Sequence, residues 1–149
     1  MSLITGKISG IGCNLLTVVV DGQITQNEVG YAIKGDQRLK SEVIRIQGNK
    51  AFLQVFESTK NLKVGDSVEF TSDLLSVQLG PGLLQQIYDG LQNPLPQLAE
   101  KHGFFLPRGE VLEALDSSVQ WRFTPMVKKG DKVEAGSYVG SVPETQFTH

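Results

Sequence analysis

Between residues 2 and 75, short β-type runs alternate with turn residues, and this punctuation limits the chain's possible folds more than any other feature. The runs are Leu3–Ser9, Leu15–Val20, Glu28–Ile33, Leu39–Gln47, Ala51–Glu57 and Ser67–Thr71. Between them stand Gly10, Asp21-Gly22, Gly35-Asp36, Gly48-Asn49 and Gly65-Asp66. Short strands at such spacing belong to a sandwich or barrel. The clearest hairpin is Ile44 to Val55. Gly48 and Asn49 both tolerate positive φ and suit a tight turn. Ile44 and Ile46 alternate with Arg45 and Gln47, while Ala51, Leu53 and Val55 share one face of the partner strand. Asp21-Gly22 is a second candidate turn. A barrel this small closes its own edges and fills its interior with side chains.

The pattern changes at Ser76. Gly80 and Gly82 relax the backbone, and Pro81 presets the φ of a first helical turn. Leu83, Leu84, Ile87 and Leu91 then recur at helical spacing, which predicts a helix ending before Pro94. A second short helix is predicted from about Leu95 to His102, with Pro94 and Pro96 at its start and Gly103 past its end. Beyond residue 106, Val111–Leu115 fits either strand or helix. Val119, Trp121 and Phe123 alternate as one strand face, with Trp121 expected in the core. Val127–Val142 reads as strands separated by turns at Gly130-Asp131 and Gly136. From Thr145 to His149 no stop signal occurs, so the pattern reads as that of a fragment.

Composition excludes several functional classes. A formal net charge of -2 over 149 residues gives no reason to expect a nucleic-acid partner. No run of about 18 apolar residues exists to span a membrane, and residues 1–7 lack the features of a signal peptide. Cys13, the only cysteine, fits a reducing compartment and is expected to be a buried structural thiol.

No catalytic constellation assembles. A phosphate loop needs Gly, four residues, then Gly-Lys-Ser or Gly-Lys-Thr. The only Gly-Lys pair, Gly6-Lys7, is followed by Ile8. Gly80-Pro81-Gly82 imitates a dinucleotide loop, but Gln85 breaks the pattern and Pro81 removes a donor. Cys13 lacks a histidine in any catalytic motif. His102 and His149 are the only histidines, and metal is not expected. Asp89, Glu110, Glu113 and Asp116 read as solvated surface, and Tyr88 as a packed aromatic with a tethered hydroxyl.

The stretch Leu79-Gly80-Pro81-Gly82-Leu83-Leu84, then Ile87-Tyr88-Asp89-Gly90-Leu91-Gln92 with Pro94-Leu95, closely resembles the catalytic A subunit of V-type and archaeal-type rotary ATPases. Glu42 to Glu57, Trp121 to Pro125, Val127 to Asp131 and Gly140 to Thr145 are similar to the same family, so the resemblance covers nearly the whole chain. It implies a mainly β fold in three parts. Residues 1–75 would be a closed crown barrel and 76–105 a helical connector. Residues 106–149 would begin the barrel-sandwich-like insertion peculiar to that subunit. The intact subunit is implied to bind Mg-ATP and to couple its synthesis or hydrolysis to proton or sodium transport. It would alternate with B subunits in a hexameric ring and meet a peripheral stalk through the insertion. It would be cytoplasmic and touch the membrane only through the membrane sector. No catalytic, cofactor or metal residue carries over onto these 149 positions. Gly80, Pro81, Gly82, Ile87, Tyr88 and Pro94 carry over as connector and subunit-interface residues. Two other readings compete: a biotinyl or lipoyl carrier, from the turn Lys129 to Gly136, and a free-standing β-barrel interaction module.

Overall fold

The computed structural model describes residues 4–84, 86–103 and 105–149. Its strands in the first half follow the alternation of the sequence. They are β1 (Ile4–Gly12), β2 (Leu15–Asp21), β3 (Glu28–Lys34), β4 (Gln37–Gln47), β5 (Lys50–Val55) and β6 (Ser67–Leu74). All pair antiparallel and close a barrel in the order β1-β2-β5-β4-β3-β6, with β6 returning to β1. The chain forms two compact units, and the first holds this barrel together with residues 105–111.

In β2 and β5 every second residue points inward, as the two-residue period requires, while register shifts interrupt the alternation in β1, β3 and β4. Leu16, Val18, Ala51, Leu53, Val68 and Phe70 are buried in one continuous core, which fills the barrel with side chains. Gly6 makes that packing possible. A Cβ there would lie 2.6 Å from Val18 Cγ1 and 2.8 Å from the Val19 carbonyl oxygen.

The β4–β5 hairpin forms as expected, with Gln47 opposite Lys50 and Gly48 at φ 59°. Its facing carries a detail the alternation alone does not show. Leu39, Ser41 and Val43 point inward. Strict period two would then send Ile46 outward. A register shift between Val43 and Arg45 resets the pairing and places Ile46 opposite the buried Ala51, although Ile46 itself, near the hairpin turn, is 38% exposed. Ile44, at the shift, is 39% exposed.

Asp21-Gly22 makes no hairpin with the following strand. Asp21 ends β2 and a bend follows at Gly22; β2 pairs with β5 while β3 pairs with β4 and β6. The hairpin that does form there joins β1 to β2 across Cys13 and Asn14. Cys13 adopts φ 52° in that turn and is exposed. The expectation of a buried thiol is therefore corrected, because a tight turn displays its side chains to solvent.

Two polar features lock the barrel's loops. Buried Glu28 accepts hydrogen bonds from the Thr25 and Ser72 N–H groups, each at 2.9 Å. The strap of residues 105–111 is held by Glu57, whose carboxylate accepts the Gly109 N–H at 2.9 Å. Arg108 donates to the carbonyls of Ser58 and Lys60 at 3.0 and 2.7 Å.

The second unit comprises residues 77–103 and 112–149. Its helix, α1 (Leu95–His102), matches the expected second helix, with Pro94 at the N-cap and Gly103 closing the end on the Ala99 carbonyl. Pairs of short strands follow: β7 (Thr124–Pro125) with β8 (Gly140–Ser141), and β9 (Pro143–Glu144) with β10 (Phe147–Thr148). The turns around Gly130 and Gly136 form, with Asp131 N–H bonded to the Lys128 carbonyl and Ser137 N–H to that of Glu134. The stretches between them are not paired as strands. Val119, Trp121 and Phe123 likewise lie outside any strand and are 46, 37 and 54% exposed, which corrects the expected strand face and the core assignment of Trp121.

Candidate functional site

The helix expected after Gly82 does not form among the described residues. Asp89 explains why. Its carboxylate accepts the N–H groups of Leu91 and Asn93 at 2.8 Å each and the Asn93 side-chain amide at 2.9 Å. A short acidic side chain thus satisfies main-chain donors that a helix would otherwise need, and Gly90 adds its own helix penalty. The result is a small closed loop. Tyr88 bridges Pro94 in antiparallel fashion, and the Leu95 N–H bonds the Ile87 carbonyl at 2.9 Å. Pro94 is buried beneath this loop, and Ile87 is 65% exposed. The Tyr88 hydroxyl is tethered as expected, donating to the Ala114 carbonyl at 3.0 Å.

Gly80, Pro81 and Gly82 form a second loop of the same unit. Gly82 has φ 103°, a conformation that disfavours side chains. A Cβ on Gly82 would lie 3.5 Å from Trp121 Cζ2, and one on Gly80 would lie 3.2 Å from Leu115 Cδ1. The loop therefore fits beneath Trp121 and Leu115.

Its main-chain donors face a carboxylate of the same unit. The N–H groups of Gly82 and Leu84 lie towards Glu144 and favour its ionised form. That carboxylate is buried, and His149 Nε2 stands 2.6 Å from its Oε2. Burial pushes the Glu144 pKa up. The two main-chain donors and the His149 imidazole outweigh burial and hold it below the ordinary 4.5. The loop is a nest for an anion, and the anion is a side chain of the same unit. Sequence reading missed Glu144 as a partner of this loop, since no local pattern connects the two.

A cavity of about 340 Å3 opens beside the loop. Pro81, Gly82 and Leu84 line it with Trp121, Asp116 and Glu144. Asp116 accepts the Ser118 hydroxyl at 2.6 Å and the Ser118 N–H at 2.9 Å. The Ser118 hydroxyl, then its N–H, lower the Asp116 pKa. Among the described residues, no three acidic, histidine or cysteine side chains are grouped to hold a metal ion. Among the same residues, no helix is long and apolar enough to cross a membrane.

Comparison with known proteins gives both units a relative. Residues 5–72 match the β-barrel domain of the ATP synthase alpha/beta family. Residues 112–149 match the barrel-sandwich domain of the ATP synthase alpha/beta subunit. The chain belongs to the ATP synthase alpha/beta family. It is 58% identical over 149 residues to the V-type ATP synthase alpha chain of Treponema denticola, covering all of this chain and 25% of that one. It is 52% identical to V-type ATP synthase alpha chain 1 of Treponema pallidum, with the same coverage. Against the Borreliella afzelii V-type ATP synthase alpha chain it is 52% identical over 144 residues, again 25% of that relative. This ATP synthase family chain thus spans about a quarter of the length of the relatives it matches. The barrel-sandwich match covers the carrier-like turn at Lys129 to Gly136.

Proposed function

We propose that this chain supplies the crown barrel and the opening of the insertion of a V-type ATP synthase catalytic A subunit. Its own work there is structural: it holds the ring and presents contacts to other subunits. The observation that carries this reading is similarity over all 149 residues to a quarter of V-type ATP synthase alpha chains, in a stretch with no phosphate-loop motif. A closed, filled barrel is suited to that task, because a crown must keep its shape while catalytic parts move.

In the intact subunit, Mg-ATP would bind outside these 149 residues, and synthesis or hydrolysis would drive or use proton or sodium movement. The subunit would be peripheral to the membrane on its cytoplasmic side. Neighbouring B subunits are the partners proposed for the barrel, and a peripheral stalk is proposed for the insertion. Leu15 and Val19 are 40 and 36% exposed on the outer barrel wall. They stand opposite Gln54 and Lys50, with Phe52 between these on β5, and make an apolar stripe suited to a B-subunit contact. We assign residues 76–105 to the connection between barrel and catalytic domain. Gly80, Pro81 and Gly82 shape one loop of it, and Ile87, Tyr88 and Pro94 shape the other.

The reading frame beyond the codon for His149 tests the proposal. A Gly-x-x-x-x-Gly-Lys-Thr motif within roughly the next hundred codons, followed by a helical pattern, supports it. A stop codon directly after His149 contradicts it and favours the free-standing module.

A further inference from the structure

The cavity beside the Gly80–Gly82 loop has a chemistry that the structural role does not use. Its volume, about 340 Å3, lies within the range of small-ligand pockets. Its walls carry two carboxylates, Asp116 and Glu144, and among the described residues no lysine or arginine lines it. The indole of Trp121, 37% exposed, forms an apolar wall. Gln86, Gln97 and Thr145 supply neutral hydrogen-bonding groups at the margin. We propose that this cavity is a binding site for an organic cation, a guanidinium or primary ammonium group on a short alkyl stem.

The two carboxylates differ in availability. Glu144 is committed to His149, and the Gly82 and Leu84 N–H groups face it. It contributes negative potential with little free lone-pair capacity. Asp116 is exposed, and its Oδ1 alone takes both Ser118 donors, so Oδ2 is free to accept from a cation. Trp121 adds the ring that best attracts cations among aromatic side chains. An anion would face both carboxylates without compensation. A neutral alkane would leave the polar margin unpaired. Only a group with an apolar stem and a cationic head satisfies both parts of the wall.

Trp121 is the sole tryptophan of the chain, so its emission reports this cavity without interference. The 149-residue chain would be titrated with n-butylguanidinium and n-butylammonium, with 1-butanol and butyrate as charge controls. A saturable emission change with both cations, at a Kd on the order of 1 mM, is expected, with none from the controls. Asp116→Asn should weaken it about threefold to fivefold, as for a partly exposed ion pair. Gln97→Lys, a surface change on α1, should weaken it as well and guards against a misfolded Asp116 variant. An unsaturable response, an equal response to 1-butanol, or cation affinities unchanged in both variants would overturn the proposal. Two further arms compare n-butylguanidinium with a single arginine inside a Gly-Ser decapeptide. Tighter binding of the peptide identifies a side chain presented by a polypeptide, and equal binding identifies a free small cation; both support the site. Binding of neither form overturns it.

Discussion

His149 Nε2 stands 2.6 Å from Glu144 Oε2, and the main-chain N–H of Gly82 faces the same carboxylate, which brings the Gly-Pro-Gly loop to strand β9 within one compact unit. The loop therefore resembles an anion-binding turn but is closed by its own chain. Its donors face the carboxylate of Glu144, so the place an external anion would take carries a negative side chain of the same unit.

Gly82→Ala tests whether that geometry is required. The site has φ 103° and lies beneath Trp121. Strain of this kind costs about 1–3 kcal/mol. Urea unfolding followed by Trp121 emission should show a loss in that range. An unchanged midpoint would mean that the loop tolerates a side chain and that its glycine is incidental.

The Glu144 carboxyl predicts a pH dependence with a definite sign. Folding lowers its pKa below 4.5, so the folded state binds this proton more weakly than the unfolded state. The stabilisation is complete above the ordinary value and is lost as pH falls through the depressed folded value. Glu144→Gln should be less stable than the parent at neutral pH, and the gap should narrow as pH falls below the ordinary 4.5 and through the depressed folded value. A gap of constant size across that window would count against an ionised Glu144 as the clasp.

What the sequence made legible divides along the same lines. The barrel was readable because period-two alternation and turn residues agree at every strand. Helix α1 was readable because Pro94, Pro96 and Gly103 mark its ends. Residues 83–93 deceived the reading, since Leu83, Leu84, Ile87 and Leu91 have helical spacing whatever Asp89 does. The spacing is a property of side chains, whereas the loop is decided by one carboxylate capturing main-chain donors. The Gly82–Glu144 contact was invisible because it links distant positions with no shared pattern. Trp121 was placed in a core by alternation, but no strand forms there to carry it inward.

The barrel wall supplies a packing prediction. Gly6 faces Val18 with no room for a methyl group. Gly6→Ala should destabilise the barrel by about 1–3 kcal/mol, the usual cost of overpacking. Thermal unfolding monitored by far-ultraviolet dichroism would show it. A variant as stable as the parent would require the β1–β2 spacing to differ from that described.

The strap should behave as a local clamp. Glu57 and Arg108 hold residues 105–111 through main-chain hydrogen bonds at 2.7 to 3.1 Å. Arg108→Ala should speed amide exchange in that segment by about an order of magnitude while the core strands keep their protection. Uniform acceleration through β2 and β5 would show that the strap supports the whole barrel.

Calorimetric titration of the 149-residue chain with Mg-ATP tests the central claim most directly. The account assigns this chain a structural and contact role and places nucleotide binding elsewhere in the longer subunit. It predicts no saturable heat up to millimolar nucleotide and no release of phosphate. A one-site isotherm with micromolar affinity would contradict it.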